Sequence, residues 1–232
     1  MRKWYPIVVI VLAYAVSAFA FSRLPDRVAT HFDAHGNPSG WSNRFFATLL
    51  MPTVALLVWP IMRFLPRIDP RRANYEKFQS TYDMLINTVI TFMVVLHLAI
   101  IGMALGYPIR LERVLPIVVG GVLVMIGNLL PRARSNWWFG IRTPWTLSSD
   151  RVWDRTHRVG GYLLMIAGFV VVATILLPPA VGSFVMGAAV AAAALTSVVY
   201  SYVAWRQEGS PTTNTGAAAP GRSAENQPPR QV

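Results

Sequence analysis

Few side chains in this chain could do chemistry. It has four histidines, ten carboxylates and no cysteine, which excludes a thiolate nucleophile, a zinc–thiolate site and a disulfide framework. His31, Asp33 and His35 alternate in one segment and are followed by Gly36. Imidazole and carboxylate groups at that spacing can hold a divalent cation. The plainer reading is a polar loop in which Asp33 and Asn37 make turns, so no metal is assigned. His97 is the one titratable group near the middle of an apolar run, accompanied by the neutral Asn87 and Asn128. Ionisable groups inside a membrane mark proton relays or substrate paths. A neutral histidine bonded to a neighbouring helix is the simpler expectation here. No two carboxylates share an apolar run, which argues against a carboxylate-driven pump. There is no G-x-S-x-G, P-loop or H-E-x-x-H pattern, so no catalytic residue and no cofactor is assigned.

The densest cluster of chemically capable groups lies in residues 128–158, which hold four Trp, one Phe and six Arg. Trp137, Trp138 and Phe139 have the amphipathic character of interface anchors. Gly140 permits a turn, and Pro144 restricts Thr143 to extended geometry. Ser148 or Ser149 can cap a helix with Asp150 in its first turn. On that helix Arg151, Arg155 and Arg158 share one face, Trp153 and His157 share another, and Asp154 can pair with Arg151 or Arg158. The segment reads either as an interfacial helix on anionic lipid or as a docking surface for an acidic or phosphate-bearing partner. An enzyme acting on a phosphate-bearing lipid with Arg142, Arg151, Arg155 and His157 is a remoter reading.

Apolar runs position these groups. Hydrophobic residues make up 54% of the chain and charged residues only 13%, well under the ~25% charge of soluble domains. Six runs approach the roughly 20 residues that cross a bilayer core: 4–21, 45–65, 84–106, 114–130, 160–177 and 181–205. The sixth is rich in Ala and Gly and should pack against neighbours rather than lie fully in lipid. The first run has the charged start and the Ala18-Phe19-Ala20 site of a signal peptide, but it exceeds the usual h-region and is expected to be retained. With the N-terminus inside, 16 Lys and Arg fall on the cytoplasmic side and 5 outside. This sets the orientation, so the net charge of +11 needs no nucleic acid. The expected fold is an all-α polytopic membrane protein with six transmembrane helices and both termini cytoplasmic.

Between the runs, Val28 and Phe32 start a short extended or interfacial piece before the turn at Gly36, Asn37 and Pro38. Asp69 before Pro70 reads as a helix N-cap. Tyr75, Phe78, Tyr82 and Leu85 form one helical stripe running into the third run. Residues 206–232 are polar, with almost no large apolar side chains, and are expected to be a disordered cytoplasmic tail.

Three segments resemble the SdpI family of bacterial membrane proteins. The outer loop from Pro25 through Thr30-His-Phe-Asp-Ala-His-Gly-Asn-Pro-Ser-Gly-Trp41 resembles the small domain of unknown function that often precedes the family core. Ile68-Asp-Pro-Arg-Arg-Ala-Asn-Tyr75 resembles the family's second loop. The defining motif is matched by Gly127-Asn-Leu-Leu-Pro131, Asn136-Trp-Trp-Phe-Gly-Ile-Arg-Thr-Pro-Trp-Thr-Leu-Ser148 and Val152-Trp-Asp-Arg-Thr-His-Arg158. The resemblance implies an N-terminal membrane hairpin with an outer loop over 1–66 and a four-helix core over 67–205. It implies immunity to a secreted, membrane-damaging peptide, and capture of a cytoplasmic repressor at the membrane. The peptide would meet His31, Phe32, Asp33, Gly36 and Trp41 in the outer loop. The repressor would meet Asn136, Trp138, Gly140, Arg142, Thr143, Pro144, Trp145, Trp153, Arg155 and His157. The rival reading is a small-molecule or lipid-linked transporter with a path lined by Asn87, His97 and Asn128. The implied partners are the lipid bilayer, the peptide and the repressor, with no direct nucleic acid.

Overall fold

The computed structural model describes residues 4–33 and 37–209. Helix α1 (Tyr5–Phe21) carries Pro6 in its first turn, where the missing N–H has no helical partner to lose. It is apolar all round and buries Ile10, Ala13, Ser17 and Ala20 at spacings of 3, 4 and 3. A β-hairpin follows: β1 (Arg27–Phe32) pairs antiparallel with β2 (Pro38–Asn43), in register from Arg27–Asn43 to Phe32–Pro38, with irregularities on either side of His31. This short hairpin interrupts a chain that is otherwise mostly helical, in keeping with the helical expectation. Val28, Thr30 and Phe32 favour extended backbone. Pro-Ser-Gly-Trp-Ser-Asn lacks an apolar alternation, and its strand forms because β1 offers it a ladder.

Helix α2 (Arg44–Ile68) is capped by Asn43, whose Oδ1 accepts the Phe46 N–H at 2.7 Å, and contains Pro52, Pro60 and Pro66. A 3-10 turn at Arg72–Asn74 leads into α3 (Tyr75–Ala104), which is kinked at Phe78. Then come α4 (Leu111–Leu129), a connector containing the five-residue α5 (Pro144–Ser148), α6 (Asp150–Ala173) and α7 (Pro179–Glu208). Among the described residues, the stretches containing α2, α3, α4, α6 and α7 are long and apolar enough to cross a membrane, while α1 is shorter at 17 residues. The chain is a multi-pass membrane protein.

Helices α1, α2 and α3 pack together, α3 leans on α4, α4 on α6, and α6 on α7. The tightest junction is between α4 and α6. A Cβ added at Gly120 would lie 2.5 Å from the Gly168 carbonyl, and one at Gly168 would lie 2.6 Å from that of Gly120. Gly127 and Gly161 repeat this seven residues along, each at 2.6 Å from the other's carbonyl. Both pairs put main chain on main chain, as small residues allow in membranes.

Helix α7 packs on α6, as its small residues suggested, but over a narrow face. Only 17% of its apolar window is buried, the smallest share of the five. It applies one stripe (Gly182, Ala193, Ser197, Ser201 and Ala204) to its neighbours and leaves Leu195, Val199 and Val203 exposed. Other small residues, among them Gly187, Ala188, Ala191, Ala192 and Ala194, are exposed. Among the described residues α7 packs chiefly on α6, at the edge of the bundle.

Candidate functional site

Residues 130–149 fold as a compact cap over the bundle end where α2 meets α3 and α4 meets α6. Asp69 lies at its base, 3% exposed. The Asp69 Oδ1 accepts the Arg71 N–H at 2.7 Å, and Oδ2 accepts the Tyr75 hydroxyl and the Trp137 main-chain N–H, each at 2.9 Å. Asp69 is therefore not the helix N-cap that its place before Pro70 suggested; the cap position of the 3-10 turn falls on Arg71. Its carboxylate is spent on the connector, because three converging donors repay burial better than one helix end does. Arg71 reaches across to Ser135 Oγ and to the Leu147 carbonyl at 2.6 Å, and Asn74 donates to the Ser135 carbonyl at 2.8 Å.

Asn136, fully buried, is the second hub. Its Oδ1 accepts the N–H groups of Trp138 and Phe139 at 2.9 and 2.7 Å, while Nδ2 donates to the carbonyls of Arg134 and Phe139 at 2.8 and 2.9 Å. One side chain thus fixes the turn that carries both tryptophans. Asn suits this position because its amide supplies donors and acceptors together.

The third hub comes from α6. Ser149 caps this helix by accepting the Val152 N–H, with Asp150 in the first turn, as the sequence suggested. Trp153 and His157 lie one turn apart on the buried face, stacked with ring centroids 3.8 Å apart. Trp153 Nε1 donates to the Ala133 carbonyl at 2.9 Å. His157 Nδ1 donates to the Trp153 carbonyl at 2.8 Å, and Nε2 accepts the Ile141 N–H at 3.0 Å. Only the neutral Nδ1–H tautomer makes both bonds. Both nitrogens are thereby occupied, so a His157 acting as acid or base in the enzyme reading would have no free ring nitrogen in this arrangement. Gly140 lies against the same ring at φ +124°, and a Cβ there would strike His157 Nε2.

Thr143 caps α5 in a reciprocal box with Thr146, and its Oγ1 meets Ser201 of α7 at 3.0 Å. Trp145 packs on Tyr202 of α7 at 5.1 Å between centroids. The connector thus ties α7 to α6. Asn136, Thr143, Trp153 and His157 are interior groups, whereas Trp137, Trp138, Arg142, Pro144 and Arg155 reach the surface. Arg142 donates to the Trp137 carbonyl. Arg151, Arg155 and Arg158 are exposed, and Asp154 pairs with Arg134 at 3.5 Å rather than with Arg151 or Arg158. The cap folds Arg134 back toward α6, which a helical-spacing argument cannot see.

At the other end of the bundle, Asp33 accepts the Asn37 N–H at 2.8 Å, the turn expected for this pair. Phe32 and Asp33 line a cavity of about 260 Å³ with Arg110, Glu112 and Ser183, while Trp41 is 56% exposed. His35 and Gly36 lie outside the described residues. Within the bundle, His97 is buried and bonded through Nε2 to Ser17 Oγ at 2.7 Å, and Ser17 donates to the Thr48 carbonyl at 3.0 Å. That joins α3, α1 and α2. Asn87 lines a groove between α3 and α4, and Asn128 is exposed at the far end of α4. Asn87, His97 and Asn128 therefore line no common path among the described residues. Sequence reasoning missed Arg71, Ser135 and the paired glycines. The only hint was that residues 68–75 and 131–148 both stood out as distinctive segments.

Two stretches match known families. Residues 132–201 match the SdpI/YfhL protein family, and residues 8–56 match a domain of unknown function, DUF1648. The chain is 23% identical over 168 residues to Immunity protein SdpI of Bacillus subtilis (strain 168), covering 71% of this chain and 77% of that protein. No solved structure matches.

Proposed function

We propose that this chain, which belongs to the SdpI/YfhL protein family, is an immunity and sensor protein of the bacterial inner membrane that gives resistance to a secreted, membrane-active peptide. The carrying observation is the similarity to an immunity protein along 71% of the chain, which takes in far more than one motif. The role is binding rather than catalysis, in keeping with a His157 whose two ring nitrogens are engaged by main chain.

In this reading six helices cross, both termini and the connector face the cytoplasm, and the β-hairpin faces outward. Counting Lys and Arg supports the orientation. Helix α1, about 25 Å long at 1.5 Å per residue, runs antiparallel beside α2 through the Tyr14–Thr53 and Ser17–Thr48 bonds. It crosses where α2 crosses. The peptide meets the hairpin and the cavity beside Phe32. A cytoplasmic repressor docks on Trp137, Trp138, Arg142 and Arg155. Peptide binding shifts the bundle between two packings that present or withdraw this surface.

The test is survival. The chain is expressed in a peptide-sensitive bacterium and challenged with a membrane-active family peptide while membrane potential is followed. The wild type is expected to hold its potential, and Arg142→Ala to lose repressor capture or protection. A wild type that reaches the membrane and protects no better than empty vector overturns the reading.

A further inference from the structure

An apolar groove of about 470 Å³ opens sideways between α3 and α4, its walls including Met84, Phe92, Val95, Ile117 and Met125. Most polar groups along it are already bonded. The Thr88 and Thr91 hydroxyls donate to the carbonyls of Met84 and Asn87 at 2.9 and 2.7 Å, and Tyr5 meets Thr91 at 2.8 Å. Asn87 is the exception. It is 7% exposed and lines the groove, and its carboxamide has no hydrogen-bond partner among the described residues. A carboxamide left unpaired in hydrocarbon costs several kcal/mol. The arrangement therefore asks for an acceptor or donor supplied from outside the chain.

Depth identifies the occupant. Asn87 lies one helical turn inside the apolar run that begins at Met84, on the side of the bundle that bears the connector. That is the edge of the hydrocarbon layer, where the ester carbonyls of phospholipids sit. From Asn87 to Val95 the wall rises about 12 Å at 1.5 Å per residue, close to the roughly 15 Å that one leaflet contributes to the core. A single acyl chain entering from that edge runs along such a wall with its ester end level with Asn87. We infer that the groove holds one acyl chain of a glycerophospholipid from the connector-side leaflet, with an ester carbonyl accepting a hydrogen bond from the Asn87 carboxamide. The inference rests on the membrane placement of α3 and α4 and not on the immunity reading.

The test uses the full chain in vesicles containing phosphatidylglycerol with a photoreactive diazirine on one acyl chain. After irradiation, labelled peptides are mapped by mass spectrometry. The wild type is expected to label α3 and α4 along the groove several-fold above the exposed surface of α7 at Leu195 and Val199. Gly121→Leu fills the groove from a position where a new Cβ meets nothing within 4 Å, and it should cut that labelling at least five-fold with the melting temperature unchanged. Asn87→Leu, which removes the hydrogen bond, should cut it several-fold. Groove labelling equal to that of α7 in the wild type, or unaltered by both substitutions, overturns the inference. So does preferential labelling of the groove by a photoreactive apolar helix.

Discussion

Asp69 Oδ2 accepts the main-chain N–H of Trp137 at 2.9 Å, across 68 residues of sequence. The bond joins the α2–α3 junction to the α4–α6 connector, so two loops that are separate in the chain act as one piece. Tyr75 shares both hubs, donating to Asp69 at 2.9 Å and lying 3.2 Å from Asn136 Oδ1. Asp69 and Tyr75 thus bond the α2–α3 junction to the turn that displays Trp137 and Trp138.

Asp69→Ala should loosen this cap more than any surface substitution. It removes the acceptor of the Arg71 and Trp137 main-chain N–H groups, at ~1–3 kcal/mol for each that stays out of water, and leaves the Tyr75 hydroxyl only its longer contact to Asn136 Oδ1 at 3.2 Å. We expect a clear fall in melting temperature in detergent and faster proteolysis within residues 132–149. Asp69→Asn keeps one acceptor oxygen and should fall in between. Equal protease resistance in the wild type and Asp69→Ala would remove the carboxylate from its role as a clamp.

Gly140 and His157 make a second, independent test. Gly140→Ala adds a Cβ in a left-handed conformation and drives it into His157 Nε2. Relieving the clash by combining it with His157→Ala should restore only part of the lost stability, because the backbone strain at φ +124° remains. Full recovery in the double variant would show that strain at Gly140 is negligible. Trp153 reports locally, since its fluorescence should shift when the ring stacked on it is removed.

Much of the fold could be read from the sequence, and the site less so. Hydropathy located all the long helices because each run is a local property. The Ser149 cap and the Tyr75, Phe78, Tyr82, Leu85 stripe were legible for the same reason: helical spacing fixes who is next to whom. Asp69 was misread because, besides the nearby Arg71 N–H, its partners are 6 and 68 residues away, and a Pro beside it suggested a purely local use. Asp154 was misread in the same way, since Arg134 returns to it through a fold with no periodicity. Trp153 and His157 were placed correctly on one face, but aromatic and basic composition suggested a surface where the structure has an interior. The second hairpin strand had no pattern of its own to find.

The α4–α6 seam predicts a sharp contrast between neighbouring glycines. Gly120→Ala and Gly127→Ala each push a methyl group toward a carbonyl of α6 that is about 2.6 Å away, so the helices must separate and lose packing along the seam. Gly121→Ala meets nothing within 4 Å and should leave stability unchanged or raise it by up to about 1 kcal/mol, as replacing Gly inside a helix does. Thermal unfolding of the three variants in one detergent decides the matter. If Gly121→Ala destabilised as much as Gly127→Ala, the paired glycines would not be the contact that sets the helix spacing.

The last prediction concerns His97, whose Nε2 meets Ser17 Oγ at 2.7 Å. Ser17 also donates to the Thr48 carbonyl, so its own proton is committed and it must accept from the imidazole N–H. His97 therefore serves as a fixed donor joining α3 to α1. Interhelical hydrogen bonds in membranes average ~0.6 kcal/mol and rarely exceed about 1.7. His97→Gln can still donate and should lose little. His97→Leu should lower stability by no more than about 2 kcal/mol beyond its packing change, and protection against a membrane-active peptide should persist at normal expression. A proton carrier would behave differently. Either substitution would then abolish protection while leaving the protein folded and in the membrane, an outcome that would reassign His97 from structure to mechanism.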